Sequence, residues 1–353
     1  MPSVDVLIVG QGLAGSTLAW RLAEVGLTFA VVDRGGRDDH GNPSASRVAA
    51  GLMTPVTGKR LTLDPEWDTL RDAAAAFYRR VERVAGAAFF HERPSLRLLR
   101  SDEERQRFEE RAKEPLYATH MQPAAADGRY NADATRHGGF VMPSAARLEA
   151  AAFLDATSDW LRSSGRLYEC SLDGPNDLET TPSQVLIPEL DLAARVVVDC
   201  RGFTTADPLL ADSPVLTPLK GEVLVVEGPG LPDDRVVHCG VWLVPVERGR
   251  GDEGQTRGLL GATYAPDDAT SHPTPVGRAE LLASLREFFP DEPRVVAHRA
   301  GVRPALPDRK PVAMISKADD RFACFNGLGA KGALWAPWHA GRLAEKLAAL
   351  VRR

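Results

Sequence analysis

The sequence predicts a mixed α/β chain in which a parallel sheet interleaved with helices is joined to a second, antiparallel sheet. Three stretches carry that prediction. Val4 to Arg34 reads as strand, glycine turn, helix, strand. Arg195 to Cys200, RVVVDC, is an almost continuous β-branched run, the composition of a central parallel strand covered on both faces. Between Pro218 and Thr263 several strand-like runs follow one another without intervening helices, as in an antiparallel sheet. At 353 residues the chain is long enough for two domains, each with its own core.

In the opening stretch, Val4 to Val9 is an apolar run long enough for one buried strand and too short for an ordinary helix. Gly10, Gly12 and Gly15 follow as G-x-G-x-x-G. Gly10 lets the chain turn off the strand, Gly12 lets backbone approach a pyrophosphate, and Gly15 lets the helix lie close on the sheet. Leu18, Ala19, Leu22 and Val25 recur at helical spacing, and Gly26 stops the run. A second strand, Thr28 to Val32, ends in Asp33, at the distance where such a motif places a carboxylate for the hydroxyls of an adenosine ribose. A bare glycine pattern also describes a turn in an ordinary parallel sheet. Framed by strand, helix, strand and Asp33, it predicts a Rossmann-type domain holding a dinucleotide with its phosphates at the helix N-terminus.

Composition narrows the partners. A formal net charge of -5 with both signs mixed gives no reason to expect nucleic acid or an anionic membrane. Cys170, Cys200, Cys239 and Cys324 are scattered without metal-ligand spacing, so they read as small buried hydrophobes in a reducing compartment. No apolar run reaches membrane-span length, and the first strand starts so near Met1 that a signal peptide is not expected. The expectation is a cytoplasmic protein.

The remaining elements follow in order. RGGRDDHGNPSASR after Asp33 is polar and predicts an exposed loop. Ala49, Ala50 and Gly51 predict the opening of a helix that something flat and bulky can approach, while Lys59 and Arg60 are either a solvated charge pair or face an anion. Trp67 to Ala85 has Leu70, Ala74, Phe77, Tyr78, Val81 and Val84 at helical spacing. Leu96 to Leu99 predicts a strand, and Ser101 an N-cap for a charged helix to about Lys113. Ser144 to Leu161 predicts a helix. Val223 to Val226, Val241 to Val246 and Leu259 to Thr263 predict strands separated by polar, glycine-rich turns, with Ala279 to Phe289 a helix packed on them. Arg321 to Phe325 predicts a strand, a glycine-rich loop follows, and a last helix runs to Leu350.

The S-x-x-A-A-G-L-M-x-P run from Ser46 to Pro55, together with the opening motif, resembles the D-amino acid oxidase superfamily of FAD enzymes, of which glycine oxidase and sarcosine oxidase are members. Pro218 to Glu222, Gly261-Ala262-Thr263 and the segment Ala300 to Pro311 (G-x-R-P-x-x-x-D-x-x-P) resemble further family motifs. Gly138 to Met142 resembles a family strand, so the resemblance implies a strand there before the helix from Ser144. The resemblance implies FAD rather than NAD. It places Ser46 at the pyrophosphate and Ala49, Ala50, Gly51, Leu52 and Met53 against the flavin. With Gly10, Gly12, Leu13, Ala14, Gly15, Asp33, Arg34, Arg47, Arg201 and Gly202 they complete the nucleotide side. Gly327, Leu328, Gly329, Ala330, Lys331 and Gly332 form the loop that passes under the flavin pyrimidine. Lys331 is left either there or in solvent.

The resemblance also gives Arg303 the substrate carboxylate, which suits a planar guanidinium, and leaves Asp308 to turn its loop. Trp242 stands where glycine oxidase has a tyrosine, as a wall of the substrate pocket or as ordinary core. Trp242, Lys59 and Arg60 join Arg303 as the candidate catalytic set, the two basic residues for a second anion on the substrate. The implied FAD domain comprises residues 1–80, 143–212 and 297–353, and the substrate domain 81–142 and 213–296. The implied activity is oxidation of the C–N bond of an amino acid or related amine, by hydride transfer to flavin and hydrolysis of the imine, with oxygen or another carrier accepting the electrons. A flavin dehydrogenase or hydroxylase acting on another substrate, and a non-catalytic flavin-binding redox or assembly protein, are the competing readings.

Overall fold

The computed structural model describes residues 1–124, 128–246 and 256–353; the polar turn expected between Val246 and Thr256 falls outside them. Two large sheets organise the chain. The first has eight strands, with Ser3–Val9 near its centre, parallel to Phe29–Asp33 on one side and to Leu192–Asp199 on the other. Phe322–Asn326 adds a further parallel strand beside Val197 to Asp199, so the C-terminal portion returns to the sheet that the N-terminus opened.

Alternation explains why its strands read as unbroken apolar runs. Val6 and Ile8 point into a core shared with helices Leu13–Glu24, Ala150–Ser163 and Gly332–Val351, while Leu7 and Val9 point into a second core. On that second face they cluster with Val185, Ile187 and Met314 from antiparallel strands of the same sheet and with Leu209 and Leu210 from a loop.

The second sheet has nine strands. Its spine is a pair of twelve-residue strands, Thr217–Gly228 and Arg294–Ala305, antiparallel along their length. Thr256–Gly261, Val241–Pro245 and Val236–Cys239 continue it, and Ser95–Leu98, Gly139–Met142 and Gln122–Ala124 complete that side. Leu224, Val226, Leu243 and Leu260 face helix Pro275–Phe288 through Leu281, Leu285 and Phe288. The opposite face looks toward the first sheet.

Several expectations need correction. Ala49 to Gly51 does not open a helix; a short one, Ala45–Val48, precedes it and the chain then extends. Gly51 has φ +69°, and a Cβ there would press on the carbonyl oxygen of Leu148. Ser144 to Leu161 is not one helix: Ala146–Leu148 is a strand between Leu52–Met53 and Phe90–Glu92, and the helix starts at Ala150. The helix expected from Ala279 begins at Pro275, where proline sits in the first turn after the Thr274 cap. Strand Arg294–Ala305 pairs within the nine-stranded sheet along its whole length, and helix Trp67–Ala85 is continuous. Among the described residues no helix is long and apolar enough to cross a membrane.

The final helix contains Pro337, which has no N–H for the carbonyl of Ala333 one turn earlier. The fully buried Tyr78 on helix Trp67–Ala85 supplies the missing donor, its hydroxyl 2.9 Å from Ala333 O. Burial pushes the Tyr78 phenol well above the usual tyrosine range, so it remains a donor. Tyr78→Phe is expected to cost about 1–3 kcal/mol by leaving that carbonyl unsatisfied. Pro337→Ala in the same background is expected to restore part of the loss, and denaturant titration of the three proteins checks both.

Candidate active site

A cleft runs between the two sheets, and its lining joins the glycine turn to strand Arg294–Ala305. At one end Gly10 leaves the first strand with φ +104°, where a Cβ would lie 2.6 Å from Cys200 O on the neighbouring strand. The two strand ends therefore almost touch, and helix Leu13–Glu24 begins directly at the cleft. No side chain of its own N-cap, Gly12, closes the first turn; Leu13 N–H donates to Ser46 Oγ at 3.1 Å. Gly15 does not line the cleft but packs on the Gly10 carbonyl, where a Cβ has no room. Asp33 is fixed in the wall by Gln11 N–H at 2.7 Å and Gly36 N–H at 2.5 Å.

The polar stretch after Asp33, expected as an exposed loop, lies over this end as a strap. Arg34 pairs with Asp39 at 2.5 Å, and Asp39 accepts from Thr205 N–H at 2.9 Å and from Thr204 Oγ1 at 3.1 Å. Burial opposes ionisation of Asp39, but the Thr205 N–H and the Arg34 guanidinium outweigh it and hold the carboxyl below its usual range. Asn42 Nδ2 donates to Ser271 Oγ at 2.9 Å, so the strap also reaches the loop before helix Pro275–Phe288. Arg201 and Gly202 line the cleft, yet the Arg201 guanidinium is committed elsewhere. It grips Asp199 through Nε at 3.1 Å and Nη2 at 2.9 Å, and donates to the carbonyls of Asp173 and Asp207 at 3.0 Å each. That fork holds together two loops, one of which lines the cleft through Cys170 to Asp173.

At the other end Arg303 reaches the cleft from strand Arg294–Ala305. Among the described residues it makes no hydrogen bond or ion pair. Burial lowers its pKa, with Tyr264 opposing, and an arginine so placed stays charged. Gly221 lies beside it: the Cβ that Gly221 lacks would sit 2.5 Å from Arg303 Cζ and 2.6 Å from Nη1, closer still to Nη2. Trp242, half-buried, lines the same end and covers Gly261 in the same manner, 2.7 Å from the absent Cβ to its Cη2. Ala49, Ala50, Gly51 and Leu52 form the facing edge. Arg147, itself buried, ties Ala50 O at 3.3 Å to Pro245 O at 2.8 Å, joining that edge to the strand of Trp242.

The structure does not bring every expected residue to the cleft. Leu52 lines it, but Met53, next along the strand, points into the core. Arg47 turns to Asp155, 2.6 Å away, in a separate surface groove. Lys59 and Arg60 sit exposed at the tip of the hairpin Val56–Thr57/Thr62–Leu63, outside the lining, because the tight turn points them to water. Gly327 shapes the loop with φ +73° without lining the cleft, whereas Leu328, Gly329, Ala330 and Gly332 do line it. Lys331 faces neither the cleft nor open water; it pairs with Asp64 at 3.3 Å and lies over the Trp335 ring. Asp308 accepts from Lys310 N–H at 3.0 Å, as expected of a loop-turning residue. Gly221, Gly301, Arg147 and the Thr204–Thr205 pair were not anticipated. Two of them carried a signal, Gly221 in the Pro218 to Glu222 motif and Gly301 as the first glycine of the G-x-R-P segment; the first of these, expected as a turn, lies inside strand Thr217–Gly228.

Against known proteins, the profile described as DAO, FAD dependent oxidoreductase, matches residues 5–346. The chain is 27% identical over 97% of its length to the tRNA 5-methylaminomethyl-2-thiouridine biosynthesis bifunctional protein MnmC of Marinobacter nauticus, and spans 55% of that relative. It is 27% identical to a protein described as the thiamine biosynthesis oxidoreductase ThiO of Rhizobium etli, with 97% of this chain and 96% of the relative covered. Among solved structures, glycine oxidase from Geobacillus kaustophilus superposes with a TM-score of 0.81 at 22% identity, covering 99% of this chain and 95% of that one.

The residues present fit FAD: an open helix N-terminus for phosphate, a glycine turn at Gly10 and Gly12 lining the cleft, and a fixed carboxylate at Asp33. Because Arg201 holds the Cys170–Asp173 wall, Arg201→Ala is expected to weaken FAD binding on the order of tenfold. Titration of apoprotein with FAD, followed by flavin fluorescence, measures this; an unchanged Kd would remove Arg201 from the construction of the cleft.

Proposed function

As the chain belongs to the DAO family of FAD-dependent oxidoreductases, we propose that it oxidises the carbon–nitrogen bond of an amine that carries a carboxylate, an amino acid or an N-substituted amino acid. One observation carries this reading. Arg303 presents a half-buried cation to the cleft with no protein anion against it among the described residues. A guanidinium partly removed from water and left unpaired is costly, and a ligand carboxylate meets it in bidentate geometry. The name of glycine oxidase, a protein of the same fold, is consistent with a substrate of this kind.

FAD, when bound, supplies the two-electron oxidising chemistry. The chain's own residues orient the substrate. Arg303 fixes the carboxylate, while Trp242, Leu52 and Ala50 form an apolar wall that keeps water from the reacting carbon. The substrate carbon loses a hydride and its nitrogen a proton, and water then converts the imine to a carbonyl compound and free amine. Molecular oxygen or another two-electron carrier takes up the electrons in the following half-reaction.

The other charged lining residues, Asp33 to Asp39, Asp173 and Arg201, belong to the opposite end of the cleft. Among the described lining residues Arg303 alone is charged near Trp242, and it does not titrate in the working range. The amine is therefore oxidised as its uncharged form, after losing its proton to water.

Arg303→Ala is expected to keep FAD and to lose on the order of 100-fold or more in kcat/KM for carboxylate-bearing amines. Anaerobic bleaching of the flavin band measures it, and undiminished bleaching sinks the carboxylate assignment. In the wild type, kcat/KM should climb with pH until the free substrate's own amine pKa and then level. A profile that shifts when the substrate amine is exchanged for one of different pKa agrees; a midpoint unmoved by that exchange points to a protein group instead.

A further inference from the structure

Arg303 is a long, flexible side chain, and nothing in its own strand explains why its forked end stays open to a ligand. The neighbouring strand does. Leu219 stands opposite Arg303 and Gly221 opposite Gly301, so Gly221 and Arg303 share the cleft face of adjacent strands. The three atoms nearest the Cβ that Gly221 lacks are Nη2, Cζ and Nη1 of Arg303. The nearest boundary of the space left by that missing side chain is thus the fork itself. Gly221 is not among the glycines with positive φ, so its backbone does not demand glycine. What a side chain there would meet is the Arg303 fork, the movable end of a flexible side chain.

We propose that Gly221 is a specificity-determining residue that confines this site to carboxylate-bearing substrates. By lacking a side chain it lets the Arg303 fork lie down on the sheet with both Nη groups free for one carboxylate. A methyl group at this position would overlap Cζ and both Nη atoms of Arg303, so it displaces the guanidinium from the place where it meets a carboxylate. Substrate selection therefore depends on a residue that offers no functional group to the ligand. The inference rests on the reading of Arg303 given under the proposed function.

The test is a double-mutant cycle on FAD-loaded protein: wild type, Gly221→Ala, Arg303→Ala and the double variant. Calorimetric titration with monocarboxylates from acetate to hexanoate gives affinity, and flavin content and Tm report integrity. Gly221→Ala is expected to weaken carboxylate binding on the order of 10- to 100-fold, comparably to Arg303→Ala. In the Arg303→Ala background it should cost nothing further, because the atoms it would displace are gone. Equal losses from Gly221→Ala in both backgrounds, or carboxylate affinity unchanged by it while Arg303→Ala is impaired, would overturn the role of Gly221 and leave the proposed function standing. Arg303→Ala binding carboxylates as well as wild type overturns the proposed function itself. If Gly221→Ala alone fails to hold FAD, recovery in the double variant supports the coupling, and failure of both places the requirement in the backbone and rejects the proposal.

Discussion

The cleft depends on backbone meeting backbone where any side chain would stand. At the end of the first strand Gly10 comes so close to Cys200 O that a Cβ would lie 2.6 Å away, and Gly15 presses its helix onto the Gly10 carbonyl. A methyl group at either position has no flexible neighbour to push aside, since the atoms it meets are main chain. The central strands or the first helix would have to separate, and with them the helix N-terminus that the fold aims into the cleft. The parallel pairing of Ser3–Val9 with Leu192–Asp199 therefore does more than build a core: it fixes where the phosphate-binding dipole points.

The same economy recurs at the other end for a different purpose. Gly221 and Gly261 make room for Arg303 and Trp242, side chains that lie across the sheet. Elsewhere the structure satisfies what its irregularities leave open. Pro337 removes a donor from the last helix, and the Tyr78 hydroxyl from another helix restores a hydrogen bond to the orphaned carbonyl. Arg21 Nε then donates to Pro337 O at 3.2 Å, so the first helix of the chain is tied to the last. Since Gly332 and Ala333 line the cleft, these bonds link the packing of the helical layer to the geometry of the site.

What could be read from the residues was mostly what neighbours in sequence decide. Strand Ser3–Val9, helix Trp67–Ala85 and the Ser101 cap follow from local period and capping, and the glycine turn carries its own geometry. Arg303 could be picked out because its motif is contiguous. The failures are long-range. Ala146–Leu148 is too short to announce itself and becomes a strand only because Leu52–Met53 and Phe90–Glu92 lie on either side. Met53 and Leu52 differ by one position, and only the register decides which faces the cleft. Lys59 and Arg60 offered charge without an indication of direction, and a tight hairpin turned them outward. Arg147 had no local signal, because the carbonyls it joins belong to Ala50 and Pro245, each about a hundred positions away.

The distribution of charge along the cleft has a physical reason. At the glycine end, charges come in compensated sets: Arg34 with Asp39, Arg201 with Asp199, and Asp33 held by backbone donors. Such groups can be partly buried because each is paired before any ligand arrives, and the energetic cost of burial is already offset within the fold. Arg303 is the exception, a cation with its counter-charge missing among the described residues. A partly desolvated, unpaired charge selects its partner more sharply than a paired one, since a neutral ligand that displaces water from it adds to the desolvation penalty while an anion offsets it. Under the proposed function, the compensated end of the cleft suits a permanent cofactor and the uncompensated end is the one that discriminates among ligands that come and go.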